Sequence, residues 1–267
     1  MWYVRSVSLL GYGLLTLGNS VHHWLYSVPG ILHRDISPNN IMCRYIETVV
    51  GGEKKQIAYG VLMDYDLSSW KEDLESDYTM TSQQRTGTPP YMAQELLNGT
   101  SPRHLYRHDL ESLFYVMLLT ATRHTIGSAK GTKKDRLVMR KAKKLPFQNW
   151  FNQTDYETLG YLKKGFFDDK KPIDFTTDFK DFRRWLRFLQ TSFMTGFKKK
   201  FPSEDDEDEE LQRMEARVTG VRSSMFDDET LGGHIQYSTM IETIPKLPGK
   251  LEGLIIRDPK HPPLPIY

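Results

Sequence analysis

Residues 31–42 read ILHRDISPNNIM. A histidine, an arginine and an aspartate stand in a row, and an asparagine follows five positions after the aspartate, all between apolar residues. "SPNN" alone is turn-like, and Asp35 and Asn40 in isolation read as turn formers. A carboxylate and a carboxamide at that offset also suit phosphoryl transfer. That chemistry needs a carboxylate to orient the attacking hydroxyl and oxygen ligands to hold a magnesium ion against the phosphates. Asp35 is placed for the first task and Asn40 for the second. A second metal ligand is then expected where the chain returns. Asp64 in "GVLMDYD" stands there, at the end of an apolar run.

Outward from this stretch the pattern is that of a globular chain. The 267 residues are 39% hydrophobic and 26% charged, enough for one large domain or two smaller ones with a real core. A formal net charge of +2 argues neither for a nucleic-acid binder nor for a membrane-surface protein. The single cysteine, Cys43, excludes an internal disulfide framework and favours a reducing compartment, so an intracellular location, cytoplasmic or nuclear, is expected. Cys43 itself reads as a small core residue rather than a reactive thiol. "MWYVRSVSLLGYGLLTLGNS" has a short apolar run after Arg5 and resembles a weak secretory signal. Its two-glycine run and lack of a small-residue cleavage site favour a buried or amphipathic helix instead. No run is long and apolar enough to span a bilayer.

"LLTLGNSVHHWLYSVPG" predicts a helix stopped by Pro29 and Gly30. "IMCRYIE" and "IAYGVLMDY" predict two strands separated by the turn-rich "VVGGEKKQ". "DLESLFYVMLLTAT" predicts a buried helix, and "DFRRWLRFLQTSFMTGF" an amphipathic one with Arg and Lys on the outer positions. The acidic run 203–210, "SEDDEDEE", reads first as a solvated linker; its functional reading is a docking site for a basic partner or an acidic context for phosphorylation at Ser203.

Four motifs occur in one order: "HRDISPNN", "DYD" at 64–66, "GTPPYMAQE" at 87–95 and "HDLESLFYV" at 108–116. Together they resemble the eukaryotic protein kinase superfamily: the H-R-D-x-x-x-x-N catalytic loop, a variant of D-F-G, the A-P-E end of the activation segment, and the central helix of the large lobe. The wording "HRDISPNNIM … DYDLSS … RTGTPPYMA … TLGGHI" is most similar to the fungal-type protein kinase family. The resemblance implies a mainly α fold, the kinase large lobe, with a short β-hairpin carrying the catalytic and metal loops. It implies ATP and Mg2+ as cofactors, and Ser/Thr protein substrates as partners, with neither nucleic acid nor membrane. Asp35 is then the catalytic base, and Asn40 and Asp64 the magnesium ligands. Thr88 is the threonine that bonds the base, and Met42 the floor of the adenine pocket. Arg34 is the link to the activation segment at 64–95. There Ser68, Ser69, Ser76, Tyr78, Thr79, Thr81, Ser82 and Thr86 are candidate phosphoacceptors. His33 and Tyr65 are expected to pack structurally, Asp109 to brace the catalytic loop unless it is merely a helix N-cap, and Glu95 to pair with an arginine not identifiable from sequence.

The sequence departs from the family at Ser37, where a lysine is usual, at Asp66 in place of glycine, and at Gln94 in place of proline. Only 32 residues precede His33, and they carry neither a three-glycine phosphate loop nor a lysine strand. The expected organisation is therefore a large lobe over 1–202 without a small lobe, the acidic linker 203–210, and a C-terminal extension over 211–267. Two other readings stand beside the protein kinase: an inactive kinase-like binding module, and a small-molecule phosphotransferase, against which Arg34 and the peptide-type segment 87–95 argue.

Overall fold

A computed structural model describes residues 19–50, 53–74, 87–100, 103–128, 137–169, 172–202 and 226–241. The acidic run 203–210, the signal-like residues 1–18 and six of the eight candidate phosphoacceptors lie outside the described residues, as does the side chain of Cys43.

Helix α1 is Asn19–Ser27. Its last turn closes with Val28 N–H on Trp24 O (2.9 Å), and Gly30 then takes a left-handed φ of 74°, so the chain reverses where Pro29 and Gly30 predicted. Strand β1, Ile31–Leu32, leads into the catalytic-loop sequence. A long hairpin follows: β2, Ile41–Val50, pairs antiparallel with β3, Glu53–Leu62, with Ile41 opposite Leu62 and Val50 opposite Glu53. The hairpin is longer than the sequence indicated. The β-branched Val49 and Val50 and the Lys54–Lys55 pair, read as part of a loop, all join the ladder. Strand β4, Ser69–Trp70, returns to pair with β1.

The large helical part is built on α3, Tyr106–Arg123, all of whose residues are buried. A helix buried on every side lies at the centre of its domain, and its polar residues must find partners within it. Around it lie α2, Gln94–Asn98; α4, Gln148–Asn152; α5, Tyr156–Asp168; and α6, Arg183–Lys200. In α6 the buried positions Trp185, Leu186, Leu189, Gln190, Phe193, Met194 and Phe197 form one stripe, and Arg183 and Arg184 face out. Phe114 and Tyr115 of α3 meet Trp150, Phe166, Phe167 and Phe193 in one aromatic cluster with ring centroids 5.3–6.2 Å apart. A second hairpin, β5 (His124–Ser128) with β6 (Leu137–Lys141), was not indicated by the sequence.

Helix α7, Tyr237–Ile241, belongs to a segment, 226–241, that packs on the rest. Leu231 is fully buried, and a side chain at Gly196 would meet Leu231 Cβ at 2.7 Å, so glycine is what lets the two segments touch. Trp185 Nε1 donates to Met240 O (3.0 Å), and Tyr26 donates to Glu229 (2.8 Å). The described part is mainly helical with short antiparallel hairpins, and none of its helices is long and apolar enough to cross a membrane.

Candidate active site

The catalytic-loop sequence is anchored from behind. Asp109 is the fourth residue of α3, whose N-cap is Leu105, so it does not cap the helix. Its Oδ2 accepts the main-chain N–H of His33 (3.0 Å) and its Oδ1 that of Arg34 (3.2 Å). His22 Nε2 of α1 sits 2.9 Å from Oδ2 and His104 Nε2 2.8 Å from Oδ1. Burial pushes the Asp109 carboxyl up, but His104 and His22 outweigh it and hold it well below the usual carboxylate range. Neither histidine was singled out from sequence: His22 lies 87 positions from Asp109, and His104, five positions away, belongs to no motif.

His33 lies edge-on to Tyr65, ring centroids 5.0 Å apart, and its Nε2 donates to Met63 O (2.9 Å). Asp35 N–H donates to His33 Nδ1 (3.3 Å). Burial lowers the His33 pKa, in keeping with a neutral ring that donates at one nitrogen and accepts at the other. The catalytic loop and the "DYD" turn are thus tied through one imidazole.

The Asp35 carboxylate is held on both oxygens. Thr88 gives Oδ1 its main-chain N–H and its hydroxyl, each at 2.9 Å. Asn40 Nδ2 donates to Oδ2 and to the Asp35 carbonyl, again at 2.9 Å. The turn reading of "SPNN" also holds, with Asn40 N–H on Ser37 O (3.1 Å). Thr88 reaches Asp35 across 53 residues because Gly87, at φ 131°, lets the chain pass close: a Cβ there would sit 3.0 Å from Met92 Cγ and 3.4 Å from Arg34 O.

Met63 N–H donates to Asn40 O (2.8 Å), so Asp64 follows the residue paired with Asn40 at the mouth of the β2–β3 hairpin. Asp64 is exposed and left-handed (φ 63°), as is Arg34 in backbone (φ 69°). Left-handed aspartate and arginine are uncommon and concentrate at functional turns. Because Asn40 aims its amide nitrogen at Asp35, its oxygen points elsewhere. A carboxamide oxygen and an exposed carboxylate form a hard-oxygen donor set of the kind magnesium takes alongside phosphate oxygens, so the residues fit the ion the sequence implied. Arg34 Nη1 donates to Ser69 Oγ (2.6 Å). Met42 is half-buried in β2, opposite Val61. Ser37 is buried at 1% exposure, and its hydroxyl has no partner among the described residues.

Glu95 finds its arginine. Arg107 Nη1, fully buried on α3, pairs with Glu95 Oε2, and Lys200 at the end of α6 pairs with Oε1 (2.5 Å). Asp228 joins the cluster at 2.9 Å from Arg107 and 2.6 Å from Lys200. Burial raises the Glu95 carboxyl, but His108, Arg107 and Lys200 reverse this and leave it far below its ordinary value. The same burial pushes His108 down to about 3, so it stays neutral beside Glu95.

With this geometry in view, residues 18–121 match a family model described as "Fungal protein kinase". Among solved structures, a crystal structure of a kinase domain aligns with 42% of this chain and 36% of its own, at 19% identity and a TM-score of 0.26. The chain spans little more than a third of that domain's length. No curated protein sequence matches the chain.

Proposed function

We propose that the chain is the large-lobe part of a protein kinase that transfers the γ-phosphoryl group of MgATP to serine or threonine hydroxyls of proteins. The observation that carries this is the Asp35 carboxylate, fixed on both oxygens by Thr88 and Asn40. A base held in one rotamer by donors from two separate segments is aligned for an incoming hydroxyl before substrate arrives. In this reading Asp35 accepts the hydroxyl proton and Thr88 orients it. Asn40 and Asp64 are the residues that would hold magnesium, which when bound neutralises charge on the phosphates. Met42 would lie beneath the adenine. Arg34, through Ser69, keeps the start of the activation segment against the catalytic loop. Segment 87–95 would receive the substrate peptide, and the acidic run 203–210 would dock a basic partner.

One observation favours the second reading, a kinase-like binding module with little turnover. Ser37 stands where most Ser/Thr kinases carry a lysine, and it is buried, whereas Asp64 is exposed. No cation replaces the lysine's charge from that position.

The test is radiolabelled transfer from ATP to a mixed Ser/Thr protein substrate by the intact kinase that contains this chain, with Asp35→Ala as control. Transfer that vanishes in the control is expected. Transfer that survives Asp35→Ala removes the enzyme reading, and binding of protein partners without transfer moves the chain to the second.

A further inference from the structure

We propose that Lys163 of α5, with Glu111 and Tyr115 of α3, is the positioning device for the substrate-docking segment 87–95, gripping that segment by its main chain from beneath. The inference rests on the kinase reading for what the segment does, but not for how it is held.

Lys163 is fully buried, which a lysine seldom is without a fixed partner for its amine. Its Nζ donates to the carbonyl of Met92 and to that of Pro89 (3.3 Å). Those carbonyls belong to the short 3-10 turn Pro89–Tyr91 and the residue after it. The ammonium also lies over the Tyr115 ring, 4.0 Å from its centroid, and 5.4 Å from that of Trp150. Tyr115 in turn donates its hydroxyl to Glu111 Oε1 (2.6 Å), and Gln94 N–H donates to the same oxygen (2.8 Å). The segment is therefore held twice through backbone atoms: at Pro89 and Met92 by an amine, and at Gln94 by a carboxyl oxygen. Tyr115 joins the two grips.

The arrangement has three consequences. It reads no side chain of the segment except by shape, so it fixes where 87–95 lies and leaves its outer face to a ligand. It costs desolvation: burial lowers the Lys163 pKa well below its ordinary value and raises that of Glu111 to about 7. Buried ionisable groups that face main-chain carbonyls and N–H groups fix conformation better than they stabilise a fold. Finally, the grip's bonds run to Pro89, Met92 and Gln94 and not to Thr88 or Asp35, so it shapes the docking surface without bonding the reacting groups.

The experiment compares the full chain with Lys163→Met, which keeps the apolar stem and removes the amine, and with Tyr115→Phe, which keeps the ring and removes the bond to Glu111. Amide hydrogen exchange is the first readout. Lys163→Met should speed exchange at Tyr91, Met92 and Gln94 by ten-fold or more while leaving His33 and Arg34 unchanged; Tyr115→Phe should speed Gln94 about three-fold. Unchanged exchange across 87–95 overturns the proposal whatever the chain's activity. If Lys163→Met does not fold, the Tyr115→Phe result decides alone. The second readout is the KM for a protein substrate in the intact kinase, expected to rise about ten-fold in Lys163→Met with the KM for ATP within two-fold of wild type. Loosened exchange with an unchanged substrate KM would leave the grip in place and overturn the docking role of 87–95, so the two failures are told apart.

Discussion

Asp109→Asn replaces a buried carboxylate by a group of the same shape and should nevertheless be among the most damaging single changes in the chain. Both carboxylate oxygens accept a main-chain N–H, from His33 at 3.0 Å on one side and from Arg34 at 3.2 Å on the other. An asparagine has only one acceptor oxygen. Whichever way it is turned, its NH2 group faces one of those two N–H donors, and a main-chain N–H cannot become an acceptor. The histidines can change tautomer, so they do not decide the outcome. A stranded buried donor costs about 1–3 kcal/mol, and the loss of a charge-assisted bond to a histidine roughly 1.5–3 kcal/mol more. The sum, about 2.5–6 kcal/mol, brackets the roughly 3–5 kcal/mol cost of breaking a buried charged pair. At roughly 2–4 °C per kcal/mol for a chain of this size, the melting midpoint should fall by about 10 °C. The assay is urea unfolding of both proteins, with amide exchange at His33 and Arg34 as the local probe. His104→Ala, which keeps the carboxylate, should cost less. A loss below about 1 kcal/mol for Asp109→Asn, with those two amides still protected, would refute the reasoning.

Glu111, whose carboxyl burial pushes up to about 7, keeps a proton in the folded chain that the unfolded chain loses above its ordinary value of 4.5. Its contribution to stability therefore falls as pH rises between those values, by about 2 kcal/mol from about pH 5 to about pH 7. The stability gap between wild type and Glu111→Gln should shift by that amount in urea titrations at the two pH values; a constant gap excludes the mechanism. A Cβ at Gly160 would lie 1.7 Å from Asn98 Oδ1, so Gly160→Ala should cost about 1–3 kcal/mol. The double change with Asn98→Ala should recover most of that loss in the same unfolding assay. In the intact kinase, Asp64→Ala should lower turnover at least a hundred-fold without altering the melting midpoint, because Asp64 is exposed; near-normal turnover counts against its metal role.

The parts of the site that were legible in the sequence are those whose spacing is set by one local chain path. His33, Arg34, Asp35 and Asn40 lie in a single loop, and Asp64 ends the returning strand of the hairpin that Asn40 begins. Thr88 could be assigned because "GTPPYMAQE" is itself a motif, although its contact with Asp35 spans 53 residues. What holds these loops was not legible. His22, Lys163, Lys200 and Asp228 have no motif of their own, and their partners are set by how helices pack. Arg107 was one of many arginines until α3 carried it to Glu95. Hairpin β5–β6 was missed because "HTIGS" and "LVMRK" are short and neither alternates clearly.

The position of α3 explains why one helix can serve both loops. Arg107, Glu111 and Tyr115 are spaced four apart and so share a face. That face meets the segment running into α2, through Glu95 for Arg107 and Gln94 for Glu111. Asp109 is two residues from each of its neighbours in that series, about 200° around the helix, and takes the main chain of the catalytic loop on the other side. The helix is thus a wedge with a charged group on each flank and apolar residues between. Residues 33–40 and segment 87–95 are placed relative to one another by a single rigid element, and Thr88 on Asp35 links them directly. This also accounts for the buried charges. An apolar helix would pack as well, but only groups that bond main-chain N–H and carbonyl atoms can fix the path of a loop whose side chains must stay free for another molecule. Along the chain, the loop braced from behind comes before the helix, the segment gripped by its main chain leads through α2 toward it, and the polar residues of "RHDLES" at the helix start bond both.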